Sequence, residues 1–467
     1  MFYKYFIEVF IYSERYISRI HGVYMQNIVD SKNFFGLKKS FKIVSTLLEN
    51  QNYQGAIPKY KLLEEDVILQ EKYPKGLVAP PIFAPILLKL FNKKPFHIKW
   101  KKILEKIEKY HDFLITYRDP SQTGLISIYH PEESLQNQST YFDIQKKEHD
   151  FSKHSLITTF EKYGYDQEIL HHTTPFNVKS VLQNCLFAKS LEAEYVLNKK
   201  LYDLTKDQEL LHKASIAKRR QIKTEHSIIE NLWCKEDNCY YNYDVKRNTF
   251  IKTKDVNSIA TVMLGKKDKN LAKTIALLRG REFQPKKGYG IVTTGLNTRK
   301  YKPNRLNKGP INPILNWYII QGLKNFDIEL AHNLKVQTTS IISEIFNKED
   351  VITPAKSLLL TNNFTYPGSN IQLSNLNQKE VMDTTHNIFS ILGWIAVIDK
   401  PRNDLWKLVK NKLEQNTPPK KIQNEFKTPL FYEGYLARET HEKETGTGLG
   451  EIGQTTTASV FLDLNQK

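Results

Sequence analysis

The sequence predicts an all-α fold, and within that class a closed helical toroid, on three observations. Apolar residues recur with a helical period along most of the chain. The segments between them are short and rich in Gly, Pro and Asn, without long alternating strands. No Ser/Gly linker divides the chain and no fixed-period repeat stands out, which favours closure over a repeat array. With 467 residues, 40% hydrophobic and 12% aromatic, the chain can bury a large core, which excludes disorder. We expect a single domain over residues 1–467.

The elements follow in order. Leu37, Phe41, Val44 and Leu48 fall at i, i+4, i+7 and i+11, one face of a helix that ends before the Asn52, Gly55, Pro58 loop. Pro80-Pro81 opens the next helix, where a missing N–H costs nothing. That helix runs to Phe91, and the same period predicts helices over Ile98 to Ile115, Phe176 to Leu204, Gln208 to Trp233 and Ala272 to Leu278. Further helices are expected over Pro310 to Leu323, Ile328 to Phe346, Glu380 to Ile398 and Asp404 to Leu413. Between Trp233 and Asp244, a turn leads into a short aromatic strand, read as tyrosines packing across a β-hairpin.

Composition also sets what the protein is not. Lys plus Arg outnumber Asp plus Glu by 68 to 50, a net +18, but the basic residues are scattered and no nucleic-acid reading module is present. No nucleic-acid partner is expected. Three cysteines (Cys185, Cys234 and Cys239) lack metal-ligand spacing and read as unpaired small hydrophobes. No phosphate loop or His/Asp/Glu cluster implies a cofactor or metal, and His171-His172 reads as a loop or surface feature. Phe2 to Tyr12 is apolar but interrupted by Lys4 and Glu8, a poor signal peptide and too short for a membrane span. No membrane association and a cytoplasmic location are therefore expected; oligomeric state is not legible.

Several separated segments agree with one family in its own order. Gln51 to Pro58 resembles a "GQ-x-DG-x-IP" turn, and Gly76 to Phe91 is similar to a "QPP" helix. His130-Pro131-Glu132-Glu133-Ser134 through Asp143 resembles "HPWESG-x-DNSP-x-WD". Phe176 to Leu191 with Asn184, and Trp233 through Asp244, look like an "LFN" helix and an "LWDEEDGFYYDYD" turn. Gly309 to Trp317 resembles "RGPVW-x-x-x-NW", and Phe431 to Tyr435 with Thr445 to Gly450 and Thr457 to Asp463 resembles "FYEYYDP-x-TG-x-GLG" leading into "FSWTAALYLDL". These motifs are those of glycoside hydrolase family 63 and its mannosylglycerate hydrolase-like relatives, which fold as an (α/α)6 toroid. Residues 349 to 428 then read as an insertion before the last motif.

The resemblance implies glycoside hydrolysis with inversion. One carboxylic acid protonates the departing oxygen and one carboxylate activates water from the opposite face, about 6.5–9.5 Å away. By resemblance the base is Glu433, and the acid belongs at position 137. That position holds Asn137, whose amide has no proton to transfer at ordinary pH. Asp143, Glu132 and Glu133 are the carboxyls that offer themselves as a substitute acid. Glu133, Tyr129, Lys308, Asn316, Trp317, Tyr432 and Tyr435 are the expected carbohydrate-binding residues, with Glu133 open to a second reading as a carboxylate that ties its loop.

Other departures fall in the same motifs. Lys308 stands where the family has arginine, giving up the planar fork that grips two oxygens. Asn307, Asn312 and Thr456 stand where it has tryptophans, which removes aromatic contact from a sugar subsite. Three readings follow: a glycosidase with a displaced acid, a catalytically inactive carbohydrate-binding pseudoenzyme, or a toroid turned to another reaction such as a lyase or epimerase.

Overall fold

The computed structural model describes residues 45, 48–59, 76–93, 100–136, 139–284, 290–302, 307–309 and 312–337, with three short strands beyond them. The chain divides into two compact units, one built mainly of residues 40–278 and the other holding residues 279–467. Each is taken by itself below.

In the first unit, α1 (Phe83–Lys93) and α2 (Trp100–Arg118) answer the first two predicted periods beyond residue 80. Three shorter helices follow a 3-10 turn at Pro131–Glu133: α3 (Thr140–His149), α4 (Lys153–Lys162) and α5 (Gln167–Thr173). The sequence reading left this stretch unassigned. Each of these helices is seven to ten residues long, too short to print a clear 3.6-residue period. Their N-caps carry the signal: Ser152 forms a reciprocal capping box with Ser155, and Asp166 accepts from the N–H groups of Glu168 and Ile169.

The centre of this unit is the pair α6 (Val181–Thr205) and α7 (Gln208–Asn231). α6 has 25 residues, about 38 Å of helix, and buries residues around most of its circumference. Lys206, in the left-handed conformation, ends it, and Asp207 caps the first turn of α7, so a two-residue connection folds the second helix back on the first. β1 (Val178–Lys179), β4 (Asn242–Asp244) and β5 (Thr249–Ile251) form a small antiparallel sheet. β2 (Trp233–Cys234) and β3 (Cys239–Tyr240) form the expected hairpin, with the Trp233 and Tyr240 rings 4.8 Å apart. All three cysteines are buried, and none forms a disulfide. A nine-residue 3-10 helix (Val256–Leu264), which the sequence reading missed, leads to α8 (Leu271–Arg279).

The turn before α1 shows why its residues are what they are. Asn52 Oδ1 accepts from the N–H groups of Gly55 and Ala56, and Gln51 Nε2 donates to the carbonyls of Gly55 and Lys106. Gly55 sits at φ 111°, and a Cβ there would lie 2.4 Å from the Lys109 carbonyl oxygen, so only glycine fits.

In the second unit, α9 (Pro313–Leu323) and a helix over residues 328–337 match the predicted periods at 310–323 and 328–346 as far as the described residues extend. The expected helices at 380–398 and 404–413, and the 349–428 insertion, lie outside the described residues. No helix among the described residues is long and apolar enough to cross a membrane.

The core of the first unit contains a polar knot. His111 on α2 bonds Glu194 through Nδ1 and Ser190 Oγ through Nε2 (2.7 Å), with His111 fully buried and the other two almost so. Replacing His111 with Ala should cost about 3–5 kcal/mol, because it strands the Glu194 carboxyl in the core. Urea denaturation of the two proteins checks this; a loss below about 1 kcal/mol would mean the knot contributes little.

Candidate active site

The residues matching the "HPWESG" motif are held by a buried ion pair. Arg118, the last residue of α2, sends Nη1 to Glu133 Oε2 and Nη2 to Oε1, both at 2.8 Å. The same carboxylate accepts the Val78 N–H at 3.0 Å and the Tyr129 N–H at 2.8 Å. Both side chains are at most 2% exposed, so four donors on two oxygens compensate a charge taken out of water. The Arg118 guanidinium also lies 3.9 Å above the centre of the Tyr129 ring.

Upstream of Tyr129, Asp119 folds the chain tightly. Its Oδ1 accepts from the Thr123 N–H and hydroxyl, and its Oδ2 from the Gly124 N–H at 2.7 Å. Gly124 takes φ 84°, with Ser227 Oγ 2.6 Å from where a Cβ would stand.

Two histidines are fixed as neutral rings around this frame. His130 is nearly fully buried, and burial lowers its pKa from 6.5 to about 4. Its Nδ1 accepts the Glu132 N–H at 3.1 Å, which leaves the proton on Nε2, facing the Lys153 carbonyl at 3.3 Å. His171 is likewise lowered to about 4, first by burial and then by neighbouring cations. The Tyr129 hydroxyl donates to the Tyr117 carbonyl at 2.6 Å, so the 2.9 Å contact with His171 Nδ1 has the ring as donor. His171 is thus a partner of Tyr129, where the sequence suggested a loop or surface feature.

The predicted site residues fall as follows. Glu133 is saturated by protein donors, the environment of a loop-tying carboxylate, and Tyr129 is fully buried with its hydroxyl engaged inside the protein. Glu132 is disfavoured by burial as an anion, yet Lys153 and Lys59 outweigh this and hold its carboxyl well below the usual range. Asp143 is half-buried in the first turn of α3. Asn137, Glu433, Tyr432 and Tyr435 lie outside the described residues.

In the second unit, Asn316 and Trp317 sit in α9 and are both buried. Asn316 Oδ1 accepts the Ile291 N–H, and its Nδ2 donates to the Ile291 carbonyl, both at 2.8 Å, and to the Asn312 carbonyl at 3.0 Å. Asn312 Nδ2 in turn donates to Asn307 Oδ1 at 3.2 Å. Asn307 and Asn312 thus join a buried amide ladder. Lys308 is partly exposed, and its carbonyl accepts the Lys302 N–H at 2.7 Å.

The same clamp occurs in the first unit. Asn184, the fourth residue of α6, accepts the Ile126 N–H at 2.7 Å, donates to the Ile126 carbonyl at 3.0 Å and to the Ser180 carbonyl at 2.8 Å. In both places an asparagine one turn into a helix holds both backbone groups of an isoleucine in an incoming loop. Sequence reasoning gave neither Arg118 nor these asparagines a structural role; the available signal for the latter is an asparagine at the fourth position of each helix.

Comparison with known proteins decides the family. The mannosylglycerate hydrolase MGH1-like glycoside hydrolase domain matches residues 42–350, more than half of the chain. The chain belongs to that family. A mannosylglycerate hydrolase of Thermus thermophilus is 22% identical over 298 residues, which are 57% of this chain and 69% of that protein. One of Rubrobacter radiotolerans is 22% identical over 54% of this chain and 63% of its own length. Mannosylglycerate hydrolase MGH1 of Selaginella moellendorffii is 22% identical over 57% of this chain and 59% of its own.

Among solved structures, a family 63 mannosylglycerate hydrolase from Thermus thermophilus in complex with glucose aligns at TM-score 0.63. The identity is 16%, over 99% of both chains. The complex of that enzyme with Tris and D-glycerate aligns at 0.65, again at 16% identity, over all of both chains. The fold of this chain is therefore the all-α (α/α)6 toroid of those enzymes, as the sequence predicts.

The neutral histidines have a consequence for acid stability. Unfolded, His130 takes up a proton as pH falls below 6.5; folded, it resists until about pH 4. Its contribution is full above about pH 6.5 and is lost towards pH 4, by about 2–3 kcal/mol. His171 adds a slope of the same sign. A His130→Asn variant, whose amide oxygen can still accept the Glu132 N–H, should show a shallower acid limb in denaturation at pH 4–7; an unchanged limb would acquit the imidazole.

Proposed function

We propose that the protein hydrolyses an α-glycosidic bond with inversion, in an oligosaccharide or a glycosylglycerate. The observation that carries this reading is the family match over residues 42–350, supported by the intact frame around Arg118 and Glu133. Relatives at 22% identity are mannosylglycerate hydrolases, and the similar solved structures hold glucose or D-glycerate, which points to a small carbohydrate as ligand. In this reading Glu433 is the base that activates water, and Trp317, Lys308, Tyr432 and Tyr435 shape the sugar subsite.

The acid is the open step, since Asn137 cannot supply a proton. Of the substitutes, Glu132 is held as an anion by Lys153 and Lys59, and Glu133 already accepts four hydrogen bonds. Asp143, half-buried on α3, is the donor we favour. A second reading, a carbohydrate-binding pseudoenzyme, draws on Asn137 together with the inward-turned amides of Asn307 and Asn312.

The test is hydrolysis of α-linked di- and oligosaccharides, glucosylglycerate and mannosylglycerate by the purified protein and by Glu433→Gln, Asp143→Asn and Asn137→Asp variants. We expect turnover by the unmodified protein, reduced about 10²–10⁴-fold by either of the first two substitutions. Activity that is present only after Asn137→Asp would establish the pseudoenzyme instead. Turnover indifferent to Glu433→Gln would sink the assignment of the base.

A further inference from the structure

Asp255 looks at first like an ordinary helix cap. It precedes the 3-10 helix Val256–Leu264, and its Oδ1 accepts the Asn257 N–H at 2.9 Å. Caps of this kind normally sit at the surface, where a carboxylate costs nothing. This one is fully buried, and its Oδ2 has no hydrogen-bond partner among the described residues. A serine or asparagine would cap the same turn without burying an acid.

What the carboxyl reaches is more specific. Asp255 Oδ1 also accepts from Asn257 Nδ2 at 2.9 Å, and that amide donates to Gln136 Oε1 at 2.8 Å. Asn257 Oδ1 accepts the Leu182 N–H at 3.0 Å and the Ser180 hydroxyl at 3.1 Å, so it is pinned to the first turn of α6. Gln136 is 1% exposed; its N–H donates to Ser134 Oγ at 3.0 Å and its carbonyl accepts the Ser139 N–H at 3.0 Å. Asn257 and Gln136 are each thereby held from two sides, with Asp255 gripping Asn257 through both its backbone N–H and its side-chain amide.

We propose that Asp255 is a positioning residue that fixes, through Asn257 and Gln136, the backbone at Ser134 to Gln136 and at Ser139, the N-cap of α3, and with it the helix that carries Asp143. The proposal rests on the glycoside-hydrolase reading for its catalytic consequence, but its structural half stands without it. The carboxyl grips Asn257 from a rigid cap, Asn257 is locked to the N-terminus of the longest described helix, and Gln136 passes that constraint to the loop backbone. Burial raises the Asp255 pKa to about 7, so near neutrality the carboxyl can rest there partly protonated, without the full cost of a buried charge.

Two variants separate this from plain capping. Asp255→Ala removes the grip on Asn257, whereas Asp255→Asn keeps an oxygen that caps and holds it. Hydrogen–deuterium exchange of peptides covering 134–139 should speed up at least tenfold in Asp255→Ala, with α7 peptides unchanged, and return towards the unmodified rate in Asp255→Asn. On whichever glycoside is turned over, Asp255→Ala should lower kcat at least tenfold with KM within twofold, and Asp255→Asn should recover most of it. Unchanged exchange at 134–139 would overturn the proposal, and faster exchange with unchanged kcat would overturn its catalytic half. If no variant of the chain, Asn137→Asp included, cleaves any glycoside, the hydrolase reading falls, while the exchange result still decides whether Asp255 holds the loop.

Discussion

Glu133 gathers donors from three separate stretches of the chain, and much of the candidate site depends on that convergence. Val78 belongs to the loop entering α1, Arg118 ends α2, and Tyr129 lies beyond the tight Asp119 turn. A carboxylate this deeply buried is tolerable only when every donor is in place, since an incomplete set leaves a charge in a low-dielectric interior. The cost of losing any one donor is what makes the arrangement specific. Around it the neutral rings of His130 and His171 complete the hydrogen bonding of Glu132 and Tyr129 without adding charge.

The asparagine clamps solve a related problem on a smaller scale. A loop entering a helix brings a backbone N–H and carbonyl that must be paired if they are buried. Asn184 and Asn316 each pair both groups of one isoleucine and take the carbonyl of the residue that precedes the helix as a third contact. An amide is suited to this because it presents a donor and an acceptor side by side. In the second unit this logic extends through Asn312 to Asn307, whose amides bond each other inside the protein.

Much of the fold was legible in the sequence because long helices print their period. α2, α6 and α7 run for 19 to 25 residues, enough for several apolar turns, and their predicted spans agree with the structure to within a few residues. The helices between 140 and 173 were not legible, because two to three turns of helix cannot be told from a loop by apolar spacing alone. The site was legible where motif residues touch one another in sequence, as at Tyr129 to Glu133. Its supports were not: Arg118 lies 15 residues from Glu133, and Asp255 lies more than a hundred from Gln136, a separation that no local pattern spans. Of the two readings open for Glu133, its surroundings favour the loop-tying carboxylate, since both oxygens accept from protein donors.

The central claim is that this fold still delivers water to one face of a glycosidic bond and a proton to the other. Proton NMR during the first minutes of hydrolysis of an α-glycoside tests it most directly, by showing which anomer of the sugar is released. The account predicts the β-anomer first, equilibrating later by mutarotation. An α-anomer first would mean a covalent intermediate and a different disposition of carboxyls, and the absence of any released sugar would contradict the claim of catalysis altogether.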